Sequence, residues 1–175
     1  MKILQRILLF TGNGKGKTTA ALGMALRASG HGMRTAIFQF IKSDPSTGEI
    51  AAIGHLPGVE IVQLGRGFVP DRSSPDWEAH RRAAGEGLER ARLAMASGDY
   101  DLIILDEIAI AVAKGLVNES PVIEAIKATP AKTVVVLTGR GASAGLLELA
   151  DTVTEMRAVK HGFSAGRPAR KGVEY

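Results

Sequence analysis

The chain contains no cysteine, which excludes disulfides and thiolate metal sites and accords with a reducing, cytoplasmic setting. No stretch is long and apolar enough to span a bilayer, so no membrane partner is expected. The N-terminal apolar run is broken by Gln5 and Arg6, and cleavage there would remove the first expected strand, which argues against a targeting peptide. His31, His55 and His80 fall at no spacing that suits a metal site. No Ser-His-Asp or Cys-His constellation is evident, and repeats and low-complexity blocks are absent. Lys and Arg number 22 against 18 Asp and Glu, a formal net charge of +4. That modest excess suits a protein holding a polyphosphate. Without a clustered basic face it argues against a nucleic-acid partner.

What is present suits one domain over residues 1–175, because 45% hydrophobic composition in 175 residues supports a sizeable core. The informative stretch is Thr11-Gly12-Asn13-Gly14-Lys15-Gly16-Lys17-Thr18-Thr19. It follows the apolar run Ile7–Phe10 and leads into a helical segment, Ala20–Arg27. Strand, glycine-rich turn, Gly-Lys-Thr and helix in that order is the P-loop arrangement. Its backbone N–H groups converge on one point, where the helix N-terminus adds partial positive charge. Lys17 supplies a full charge, and the Thr18 hydroxyl is placed to bind Mg²⁺. The usual pattern has Gly where this chain has Thr11. The competing description is a glycine-rich turn with chance lysines.

Further strands are expected at Thr35–Phe40, Val59–Leu64, Leu102–Leu105, Thr133–Leu137 and Thr152–Met156. Helices are expected at Glu49–His55, Asp76–Ala96, Ile108–Leu116, Pro121–Ala128 and Ser143–Ala150. Ser74 is the expected N-cap of the second of these, with Pro75 at its first position. Strands alternating with helices give an α/β fold, a mainly parallel sheet of about six strands with helices on both faces. Ligands of such sheets sit at the C-terminal strand ends. Gly12–Thr18, Gln39–Lys42, Gly65–Phe68, Asp106-Glu107 and Thr138–Arg140 all fall there.

Asp106-Glu107 after an apolar strand looks like a Walker B acidic pair. Asp106 is the candidate carboxylate for Mg²⁺ or Mn²⁺, opposite Thr18. Glu107 could contact a ribose, orient a water or bind metal, and the pair could equally cap the next helix. Arg140, between two glycines on a strand-end loop, is a candidate ligand contact or the partner of a nearby carboxylate. Arg27 is a weaker candidate, since a helix surface is the default place for it. Phe68 could pack inward or stack on a flat ligand. His161, after Lys160, could reach a metal or be only a polar tail residue.

These segments together resemble the ATP:corrinoid adenosyltransferases. The resemblance runs through the loop Thr11–Thr19, Gln39-Phe40-Ile41-Lys42, Gly67-Phe68 and Leu105-Asp106-Glu107. It continues through Thr138-Gly139-Arg140-Gly141, Ala150–Glu155 and the tail Lys160-His161 with Phe163, Gly166, Ala169, Gly172 and Tyr175. It implies a RecA-like P-loop fold, a homodimer, ATP as co-substrate and a flavoprotein-type reductant. It implies transfer of the 5′-deoxyadenosyl group of ATP to the Co(I) of a reduced corrinoid, with triphosphate released. By position it implies Gly12, Asn13, Gly14, Lys15, Gly16, Lys17, Thr18, Thr19, Arg27 and Glu107 near the nucleotide, with Lys17 and Glu107 as the catalytic pair. Phe68 is expected near the corrinoid, and Arg140, Lys160 and His161 around the bound substrates. Family members often carry Trp two residues after the Phe68 position, where this chain has Pro70. A P-loop kinase or NTPase, or a non-catalytic ATP-gated binding module, are the alternatives from other classes.

Overall fold

Six short apolar runs carry the sheet. In the computed structural model, which describes residues 5–162 and 166–173, they are β1 (Ile7–Thr11), β2 (Thr35–Gln39), β3 (Val59–Gln63), β4 (Leu102–Asp106), β5 (Val134–Thr138) and β6 (Thr152–Glu155). Between them run α1 (Lys17–Gly30), α2 (Gly48–Ile53), α3 (Trp77–Ser97), α4 (Ile108–Lys114), α5 (Glu119–Lys127) and α6 (Ala144–Leu149). The strand order is β3-β2-β4-β5-β1-β6, and every ladder is parallel. The expected readings of Met1–Leu4, Phe163 and Tyr175 lie outside the described residues.

The central strands are apolar without alternation because helices cover both of their faces. On one face Ala21, Ala25 and Ala28 of α1 pack on Ile37, Ile104 and Val136. Alanines at that spacing let the P-loop helix lie close to the sheet. On the other face Trp77 and Met95 of α3, Ile108 of α4, Ile126 of α5 and Leu146 of α6 share a core with Phe38, Leu105 and Leu137. β6 is an edge strand, exposed along its length and paired only to β1.

The starts of α5 and α3 differ from expectation in instructive ways. α5 begins at Glu119, with Asn118 as its N-cap, so Pro121 is the third helical residue and not the first. The N–H groups of the first turn have no intrahelical acceptor, so a proline there loses nothing. α3 begins at Trp77, one residue after the expected Asp76. The Ser74 hydroxyl still accepts the Asp76 N–H (3.3 Å), but within a turn that precedes the helix.

The parallel registers bring the strand ends together. Gln39 is the lateral neighbour of Asp106, and Thr138 follows Leu137, the neighbour of Leu105. The chain leaving β6 runs directly over the P-loop, where the Gly14 N–H donates to the Met156 carbonyl (2.6 Å). A Cβ on Gly14 would lie 2.6 Å from that carbonyl oxygen, so the close backbone approach requires glycine there. Gly23, inside α1, has nothing within 4 Å of the same position. Gly14→Ala is therefore expected to destabilise by about 1–3 kcal/mol through overpacking, and Gly23→Ala to stabilise by roughly 0.5–1 kcal/mol. Urea denaturation of the two variants checks both signs.

Candidate functional site

The loop Gly12–Gly16 leaves β1 and ends in α1, with Gly16 at the N-cap in the left-handed region (φ 110°). It forms one wall of a cleft of about 750 Å³ at the C-terminal strand ends. Gly14, Lys15, Gly16, Lys17, Thr18 and Thr19 line that wall, with Leu22 beyond them on α1. Lys42, Gly48 and Glu49 line it from the β2 exit and the start of α2, across β4 and β5 from the P-loop strand. Glu107, Ile110, Thr138, Gly139 and Arg140 make the floor, and His161, Gly172 and Val173 of the tail also line the cleft. Segments far apart in sequence thus meet at one volume.

Lys17 folds back on its own loop and donates to the carbonyls of Gly12 (2.8 Å) and Gly14 (2.5 Å). Burial, then the Arg140 charge, pull its pKa below the usual lysine value against the opposing Glu107 carboxyl. Asp106 is buried and accepts three hydrogen bonds: from the Thr18 hydroxyl (2.8 Å), the Thr138 hydroxyl (2.7 Å) and the Gln39 amide (3.1 Å). It sits behind Thr18 and does not line the cleft. From there it holds the Thr18 hydroxyl in place.

Glu107 has φ 63°, and it is the only non-glycine residue with positive φ among the described residues. A left-handed glutamate costs about 1 kcal/mol or more. Its N–H donates to the Thr138 hydroxyl (2.8 Å), which holds the peptide in place. Burial, then the neighbouring Asp106, push the Glu107 pKa up to about 7, against the charges of Lys42, Lys17 and Arg140. Beside the β2 exit Lys42 and Glu49 form an ion pair at 2.5 Å. Burial pushes the Glu49 carboxyl up, but the Lys42 bond and neighbouring donors hold it below its usual value.

Of the expected site residues, Gly14–Thr19, Glu107, Arg140 and His161 line the cleft. Gly12 contributes its carbonyl to Lys17, while Asn13 and Lys160 are exposed beside it without lining it. Arg27 stands apart from these residues. Ten residues along α1 place it about 15 Å from Lys17, where it lines a separate small apolar pocket with Met24, Ala28, His31, Met33, Leu102 and Val134. Phe68 does not pack inward: it is 94% exposed, and its neighbour Val69 takes the core position. The Gly67 N–H bonds the Ile41 carbonyl (2.8 Å), which fixes the Phe68 loop beside the strand that leads to Lys42. Three residues had no assigned role from sequence. Gln39 and Thr138 were legible only as polar groups at strand ends, and Glu49 as a polar residue opening a short helix.

Among the described residues no group of three or more histidine and carboxylate side chains is gathered to hold a metal. No helix there is long and apolar enough to cross a membrane. The fold and cleft define a P-loop nucleotide-binding protein of the RecA-like class. Two solved structures share that fold. The flagellar accessory protein FlaH of Methanocaldococcus jannaschii superposes with a TM-score of 0.58 at 11% identity, over 86% of this chain and 70% of its own. A KaiC-like protein of Pyrococcus horikoshii does so with a TM-score of 0.51 at 17% identity, over 87% and 71%.

Sequence comparison narrows the class. The profile of the ATP:corrinoid adenosyltransferase family BtuR/CobO/CobP matches residues 4–175, and the chain belongs to that family. It is 43% identical to the corrinoid adenosyltransferase of Pseudomonas aeruginosa, over 97% of this chain and 83% of that one. It is 41% identical to the corrinoid adenosyltransferase of Escherichia coli K12, over 97% and 85%. It is 40% identical to that of Salmonella typhimurium, over the same shares.

The raised Glu107 pKa has a consequence for stability. Between about pH 4.5 and pH 7 the folded chain keeps a proton that the unfolded chain has released. Folding stability must therefore fall as pH rises through that window, and stay lower above it. Glu107→Gln removes the effect. Without nucleotide or Mg²⁺, the variant is expected to match wild type near pH 4.5 and to exceed it by about 1–3 kcal/mol at pH 8. Denaturant titrations at the two pH values measure it.

Proposed function

We propose that this chain transfers the 5′-deoxyadenosyl group of ATP to the Co(I) of a reduced corrinoid and releases triphosphate. One observation carries the proposal: the P-loop, the Thr138–Arg140 loop and the tail, which hold separate family motifs, converge on one polyphosphate-sized cleft. The chain is taken to work as one domain, in the cytoplasm and as a homodimer, with a flavoprotein-type reductant. Those features follow from family resemblance and not from geometry.

The chemistry asks little of a proton-transfer group. The cobalt electron pair forms the Co–C bond, and the C5′–O bond electrons leave with the triphosphate. No proton is removed from the nucleophile, so a site without a general base suffices. Negative charge grows on the leaving group, and donors that bind it more strongly in the transition state accelerate the step. The backbone N–H groups of Gly16–Thr19, the Lys17 ammonium and the Arg140 guanidinium are the donors this cleft offers. Thr18, backed by Asp106, would supply a hard oxygen to a Mg²⁺ or Mn²⁺ ion. When bound, the cation neutralises part of the charge on the leaving triphosphate. Glu107, held by Thr138, faces the same volume and is placed to accept from a ribose hydroxyl.

Phe68 is a solvent-facing ring on a loop pinned beside the cleft. It is placed to cover an apolar ligand face, and we assign it to the corrinoid side. A Co(II) corrinoid that keeps a strong lower ligand is hard to reduce, and an apolar wall that displaces the ligand eases reduction.

Product analysis with ATP, Mg²⁺ and chemically reduced cobalamin tests the reaction. Triphosphate in step with adenosylcobalamin supports it, whereas ADP would assign the chain to phosphoryl transfer and binding without turnover to a nucleotide-gated module. Lys17→Ala is expected to fold normally and lose roughly 2–4 kcal/mol of transition-state stabilisation in kcat/KM. Near-wild-type kinetics in that variant would remove the P-loop from the mechanism. Phe68→Ala should impair adenosylation that starts from Co(II) with a flavoprotein reductant more than adenosylation of pre-reduced Co(I). Equal losses in the two assays would reject the wall.

A further inference from the structure

We infer that Lys42 is a second polyphosphate-binding cation of the cleft, paired with Glu49 in this structure and transferred to the anion on binding. The inference rests on the reading of the cleft as a polyphosphate site and adds a residue that the P-loop pattern does not contain.

The geometry is specific. Lys42 leaves the end of β2 and Glu49 opens α2, so both side chains stand on the β2-side wall of the cleft. Their Nζ and Oε1 atoms are 2.5 Å apart, and the side chains are only 29% and 15% exposed. A lysine withdrawn this far from water needs an anion beside it. Glu49 is that anion here, and a polyphosphate in the cleft offers a stronger one. The Lys42 charge also bears on the Glu107 carboxyl more strongly than the charges of Lys17 or Arg140 do. Lys42 and Lys17 therefore border the same volume, one from the β2 exit and the other from the P-loop.

Exchange has a cost that makes it selective. Once Lys42 turns to the ligand, Glu49 loses its partner beside a polyanion. Only a ligand of high charge density, a tri- or diphosphate, recovers that loss, and a monophosphate does not. The pair thus favours long phosphate chains over nucleoside monophosphates without any contact to the base.

A double-mutant cycle read by titration calorimetry tests this, with inorganic tripolyphosphate and Mg²⁺ as the probe. Lys42→Met should weaken tripolyphosphate binding about tenfold or more, as expected for a lost charge-assisted hydrogen bond. Glu49→Gln should tighten it severalfold, by freeing Lys42 and removing a repelling charge. In the Lys42→Met background most of that gain should vanish, because Glu49 then has no lysine to release. AMP affinity should move less than twofold in Lys42→Met.

Additive effects of the two substitutions would mean that both act only as distant charges, and would overturn the exchange. So would a Lys42→Met affinity within twofold of wild type, or a Glu49→Gln variant that binds more weakly. Failure of the wild-type protein to bind tripolyphosphate would instead sink the polyphosphate reading, and this inference with it. The charge-balanced Lys42→Met/Glu49→Gln protein, with no unpaired group on that wall, serves as the folding reference.

Discussion

A buried carboxylate ties this site together. Asp106 is almost wholly removed from water, and a carboxylate in that position is tolerated only when donors surround it. Its three donors come from three different elements: Thr18 from the P-loop helix, Thr138 from β5 and Gln39 from β2. Each bond is possible only if the parallel registers of β2, β4 and β5 end at the same level. Apolar packing within the sheet sets those registers, and the carboxylate converts them into the placement of one hydroxyl on Thr18. A slip of one residue in β4 would send Asp106 to the other face of the sheet and leave all three donors without it.

Thr138 extends the same constraint to the neighbouring residue. Its hydroxyl donates to Asp106 and accepts the Glu107 N–H, so one side chain holds both members of the acidic pair. The left-handed turn at Glu107 is otherwise unfavourable for a residue with a Cβ. It lets two consecutive carboxylates serve different purposes, one buried behind Thr18 and one aimed into the cleft. Without the turn the second would continue the strand and point away. Strain at a residue that faces a ligand volume, fixed by a buried hydroxyl, is how functional sites commonly hold an awkward backbone.

The fold was legible because its signals are local and redundant. Leu102–Leu105 is apolar without alternation, Gly-Lys-Thr opens a helix directly after a strand, and every chemically interesting segment falls at a strand end. Most of the cleft was legible for the same reason, since a parallel sheet collects strand ends on one edge. What escaped was set by distance in space. Arg27 shares a helix with Lys17, yet the rise of that helix sets it beside Leu102 and Val134 at the strand starts. Glu49 and Lys42 are seven residues apart across a loop whose path no pattern predicts, so their pairing could not be read. Gly14 looked like a conformational requirement of the loop. Its structural reason is the Met156 carbonyl, contributed by the chain that leaves β6.

The distribution of charge explains why an acidic residue stands in a site built for an anion. Lys17, Lys42 and Arg140 surround the floor of the cleft, and without a counter-charge they would repel one another. Arg140 already lowers the proton affinity of Lys17, and Glu107 opposes that shift. Of these, only the Glu107 carboxyl favours the charged form of Lys17. Glu49 is the counter-charge paired with Lys42. The cations are therefore gathered around one volume beside their counter-charges before a polyphosphate arrives. That matters most for a reaction whose barrier is the growth of charge on a leaving group. Stabilisation there depends on dipoles and charges already aimed at the departing oxygen, and not on a proton delivered to it.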